Sequence, residues 1–180
     1  MKTKGLRPSR MATMAPTFYP QDFTFDISSE EELTHFFRDR DQKRVVLGGD
    51  LEFPMRVQYY FTWSESSGVY RYLLFKKPGW ETAMGLVFRQ GSNTSPEGAA
   101  GGICDWCHTY GSSNQIGLLT TAVTSKRTVG MMLCLDLSCG EKIENAPSQS
   151  GKSPEARIVE TCERIGRFFD ETIRPAVGEN

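Results

Sequence analysis

The stretch that decides the fold begins Cys104-Asp105-Trp106-Cys107 and, after 26 intervening residues, resumes as Cys134-Leu135-Asp136-Leu137-Ser138-Cys139. Two cysteines three positions apart can be aimed at one point by a single tight turn, a zinc knuckle. Between the pairs, residues 115–124 and 128–135 read as two strands joined by Ser125-Lys126-Arg127. Cys134 then falls at a strand end. Cys139 falls in the first turn of a short helix expected over 136–145. Knuckle, hairpin and helix start, in that order, make a treble clef. Four thiolates at about 2.3 Å around Zn2+ form a closed tetrahedral site with no open position for water. Such a site folds a domain and does not catalyse. The ligand set is Cys104, Cys107, Cys134 and Cys139, and the implied cofactor is structural Zn2+. Spacing alone leaves other readings open: a redox dithiol at C-x2-C, an iron–sulfur cluster, or merely buried thiols. His108 adjoins Cys107, but adjacent ligands are awkward and four sulfurs suffice. Cys162 falls on an apolar helical stripe and reads as a small core residue.

Working upstream, residues 55–63 alternate. Met55, Val57, Tyr59, Phe61 and Trp63 point one way, which predicts one half-buried strand. A turn at 64–68 leads to a returning strand over 69–76, and a third follows over 80–89. Residues 90–102 are rich in Gly, Ser and Pro and read as a loop. Ser28 with Glu31 resembles a capping box, predicting a helix that carries Leu33, Phe36 and Phe37 and ends near Arg40 or Asp41. Downstream, residues 146–153 read as a polar linker. A last helix starts near Pro154 with Ile158, Cys162, Ile165 and Phe169 on one face, and Pro175 is expected to stop it. The expected class is α+β: an antiparallel β-meander covered by helices, with a treble-clef zinc finger.

The 180 residues suit one domain. Lys2, Lys4, Arg7 and Arg10 precede the first acid, Asp22. From Asp22 onward 17 basic side chains face 22 acidic ones, a balance of −5. A basic flexible tail is therefore expected over 1–22 and a single domain over 23–175, with the finger at about 103–145. The longest apolar run, 131–135, is far short of the roughly 20 residues a membrane helix needs. No secretory signal is evident, and reduced thiols suit a cytoplasmic chain. No phosphate-binding loop, nucleophile elbow or metalloprotease motif occurs, and only His35 and His108 are present. No small-molecule substrate is evident, and an enzyme of unknown chemistry is the weakest reading.

The Cys104-x2-Cys107 knuckle and the run Gly130-Met131-Met132-Leu133-Cys134-Leu135-Asp136-Leu137-Ser138-Cys139 together resemble the C-terminal treble-clef zinc finger of elongation factor G-binding proteins, the FusB type. The resemblance covers roughly residues 28–173. It implies a structural zinc and a non-catalytic module that engages elongation factor G and helps it leave a stalled ribosome. The matching surface would include Trp106, Lys126, Arg127 and Met132, with Tyr110 as a further aromatic anchor. FusB-type proteins carry an N-terminal helical bundle; this chain has a tail and one helix there and resembles a stand-alone version. The competing reading is an RNA- or ribosome-binding zinc domain using the basic tail, Lys76-Lys77 and Lys126-Arg127. The acidic body and the net −2 of a four-thiolate zinc site weigh against it.

Overall fold

The computed structural model describes residues 18–49, 51–91, 101–145 and 151–177. The expected loop at 90–102, the linker at 146–153 and the tail lie largely outside these. The tail's last residues are built into the fold. Pro20–Phe23 forms a 3-10 turn, Phe23 is buried, and Phe18 packs edge-on against its ring at 5.7 Å.

Strand β1 (Thr24–Ile27) pairs antiparallel with β2 (Met55–Gln58). Helix α1 (Glu30–His35) is capped one residue later than expected. Ser29 Oγ accepts from Glu32 N, and the Glu32 carboxylate accepts from Ser28 N. The helix also ends early. Arg38 is extended, and a separate turn, α2 (Asp39–Gln42), follows. The break lets the Arg38 guanidinium donate to buried Asp41 and to the carbonyls of Ala122 and Val123.

The main sheet has five strands in the order β3 (Tyr60–Ser64), β4 (Tyr70–Phe75), β5 (Met84–Gln90), β8 (Ile116–Ala122) and β9 (Thr128–Cys134). The single strand expected over 55–63 is two strands, because Tyr59 adopts a left-handed conformation with φ 72. Its N–H donates to Phe23 O, and the chain passes from the small sheet to the large one. Unbroken alternation in the sequence carries no mark of this turn.

The sheet separates two cores. One face carries Leu73, Phe75, Leu86, Phe88, Leu119 and Leu133. Helix α4 (Pro154–Phe168) covers it with the expected stripe of Ile158, Cys162 and Ile165, followed by Phe169. The other face carries Tyr72, Leu74 and Val87 under Phe25, Ile27, Leu33 and Phe37. Gly85 permits the close approach of α1: a Cβ there would lie 2.5 Å from the Phe37 ring, and Gly85 N donates to Phe36 O. Pro175 does not stop the last helix. Helical backbone continues through a wide π-type turn over Phe169–Ile173 into α5 (Arg174–Val177), which contains Pro175. No helix among the described residues is long and apolar enough to cross a membrane.

Candidate metal centre

Strands β6 (Gly102–Ile103) and β7 (Tyr110–Gly111) form a miniature hairpin. Its turn carries Cys104 and Cys107. Cys104 N donates to Thr109 O, and His108 N donates to Cys104 O. His108 takes a left-handed conformation, φ 57, which closes the turn. The second pair is arranged alike. Leu137 N donates to Cys134 O, and Leu137 also has φ 57. Cys134 ends β9, and Cys139 opens α3 (Cys139–Asn145), three residues later than the expected helix start.

The four sulfurs lie within 4.8 Å of one another and all four residues are buried. Cys104 Sγ is 3.7 Å from Cys139 Sγ, and Cys107 Sγ is 3.7 Å from Cys134 Sγ. These separations exclude disulfides, whose bond is about 2.05 Å. They match the edge of about 3.8 Å of a tetrahedron whose corners stand 2.3 Å from a central zinc. Zinc takes such sulfurs as thiolates, and the geometry brings all four within reach of one ion. Cys162 stands apart; burial pushes its thiol up, as suits an inert core residue.

Several contacts hold this centre to the sheet. Asp105 N donates to Met132 O, and Met132 N donates to Asp105 Oδ2. Arg164 on α4 donates to Trp106 O at 2.6 Å. Gly140 N donates to Tyr60 Oη at 2.8 Å, tying the start of α3 to β3. Beneath the second pair, Asp136 accepts from Ser138 N and from Lys142 Nζ. Burial pushes its carboxyl up, but Ser138 and then Lys142 more than offset this and hold it below the usual value.

This geometry is what a zinc-finger family requires, and the chain matches one. The family model described as the FBP C-terminal treble-clef zinc-finger covers residues 35–172. The chain belongs to this family. No curated protein and no solved structure matches it. As a member of the FBP C-terminal treble-clef family with four clustered, buried thiols, it is a zinc-binding module, and the zinc is structural. With four sulfurs on the ion, no ligand position is left for a reacting water.

The surface residues expected from the sequence divide. Trp106 is a correction. Its ring is 3% exposed and packs edge-on against Phe88 at 5.8 Å, with Phe168 beyond. The knuckle turns its indole inward, so it is a core residue and cannot anchor a partner. Tyr110 is 69% and Met132 38% exposed. Lys126 and Arg127 are exposed at the β8–β9 tip, and Arg127 reaches Thr172 O. Two exposed apolar neighbours carry no mark in the sequence. Ile103 is 59% exposed and pairs with Tyr110 across the knuckle hairpin. Leu118 is 39% exposed and pairs with Met132 across β8–β9. Leu118 adjoins buried Leu119, and only the strand register tells the two apart. His35 is exposed, with Nδ1 2.7 Å from Glu31 O. His108 is exposed as well.

Proposed function

We propose that this chain is a non-catalytic cytoplasmic docking module that binds elongation factor G and promotes its departure from the ribosome. One observation carries the reading. Among the described residues two apolar pairs are left exposed near the metal centre, Ile103–Tyr110 on the knuckle hairpin and Leu118–Met132 at the β8–β9 end of the sheet, and Gly102 of the hairpin lies beside Met132, where a Cβ would stand 3.2 Å from its terminal methyl. The described elements of the second core lie over β3–β5 and do not extend to these pairs. The four cysteines are part of the buried core and the knuckle is tied to β9 through Asp105 and Met132, so side chains carried on these strands are presented with little ordering cost on binding. Exposed apolar residues grouped in this way mark an interaction surface more often than isolated ones do. Lys126 and Arg127 at the hairpin tip add a cationic rim suited to an acidic partner surface. Family membership supports the choice of elongation factor G. The proposed domain spans 23–175, with the finger at about 103–145.

Titration calorimetry of the zinc-loaded chain against elongation factor G tests the proposal, with metal content measured on the same sample. Binding should weaken at least about tenfold in Met132→Asp with Tyr110→Ala, since buried hot-spot contacts carry most of an interface's energy. An unchanged affinity removes this face. The RNA reading predicts instead an affinity that collapses with salt. Lys77 gives that reading no support, because its ammonium is paired with Asp170.

A further inference from the structure

The large sheet ends on β9, and among the described residues the outer edge of that strand is open over a short stretch. In the β8–β9 ladder Leu118 lies opposite Met132 and Thr120 opposite Gly130. The backbone of Met132 points away from β8, because its N and O bond to Asp105. Leu118 O likewise points away from β9, to Gly91 N. By the alternation of an antiparallel ladder, the N–H and C=O of Gly130 and Thr128 point outward too. Among the described residues neither finds a partner. The Asp105 clamp closes one end of this free edge at Met132. The 124–127 turn closes the other, where Lys126 N and Arg127 N donate to Thr124 Oγ1.

The geometry points to a second copy of this chain as the occupant of that edge, paired antiparallel about a two-fold axis through Val129. In this register Thr128 of each copy faces Gly130 of the other, and the outward groups of both residues are satisfied on both chains. A closed two-fold contact of this kind must be self-complementary, and the charges meet that condition. The register brings the Lys126 turn of the second copy up to the Asp105 that closes the edge at Met132. Both Asp105 and Lys126 are exposed, and neither has an ionic partner among the described residues. Two Asp105–Lys126 pairs therefore flank the backbone bonds. The stretch also lacks the usual guards of an exposed edge: it has no proline, its register shows no bulge, and its lysine lies beyond the strand rather than on it. The contact does not depend on the docking reading above, although it would cover Met132 and compete with a partner there.

The test is sedimentation equilibrium of the full zinc-loaded chain over a dilution series, with amide hydrogen exchange at the same concentrations. A monomer–dimer equilibrium is expected. Lys126→Glu, on an exposed turn, should weaken it at least about tenfold by turning two attractions into repulsions. Exchange at Thr128 and Gly130 should slow as concentration rises, while the clamped Met132 amide stays constant. A chain that remains monomeric throughout the series overturns the proposal. So does a dimer that ignores Lys126→Glu and leaves the Thr128 and Gly130 amides unprotected.

Discussion

Asp105 and Met132 hold each other by two hydrogen bonds, main chain to main chain and main chain to carboxylate, each 2.8 Å long. The first ligand pair is thereby fastened to the strand that delivers the third ligand. Asp105→Ala leaves the Met132 amide without its acceptor and should cost about 1–2 kcal/mol. Zinc should also pass faster to a chelator, read by a colorimetric dye. Asp105→Asn keeps an acceptor oxygen and should restore most of the loss. Equal release rates in all three proteins would show that the clamp is idle.

Cys134→Ser removes one sulfur from a cluster whose members lie within 4.8 Å of one another. Metal binding and folding are coupled at such sites, so the variant should contain little zinc and melt well below the native chain. Chelator treatment of the native protein should reproduce the same melting curve. One zinc per chain with native stability in the variant would contradict the site.

Trp106 and Tyr110 lie close in sequence and should behave oppositely. Trp106→Ala empties a site bounded by Phe88 and Phe168 and should cost about 3–5 kcal/mol, as large aromatic truncations in cores do. Tyr110→Ala removes an exposed ring and should leave the unfolding free energy within about 0.5 kcal/mol of native. Urea titration of both variants separates them; equal losses would mean that the exposures are misassigned.

Gly85→Ala forces a methyl group into the Phe37 ring, 2.5 Å from its nearest atom. Overpacking of this kind costs about 1–3 kcal/mol. Gly85→Ala combined with Phe37→Leu should recover part of that loss, because the smaller side chain makes room. A neutral single variant would show that α1 can move aside.

The metal centre was legible in the sequence because thiol spacing constrains geometry directly, and two close pairs around a hairpin leave few arrangements. The stripe on α4 was legible because helical period survives without tertiary context. Other features were set by distant partners. The left-handed turn at Tyr59 is held by Phe23 O, 36 positions away, and interrupts an alternation that reads as continuous. Trp106 and Tyr110 are both aromatic residues of one knuckle, and composition cannot tell which ring turns inward. That choice follows from how the hairpin docks on Phe88. The break at Arg38 answers to the carbonyls of Ala122 and Val123, and the continuation past Pro175 depends on the wide turn before it.

The bend at Tyr59 has a thermodynamic consequence. Phe61 and Trp63 feed the core beneath α1, while Tyr59 and Tyr60 feed the core beneath α4. A single short length of chain is therefore stitched into both interiors, and neither can loosen without tugging the other. Scanning calorimetry should record one heat-absorption peak whose van't Hoff and calorimetric enthalpies agree; two separated peaks would show that the interiors yield independently.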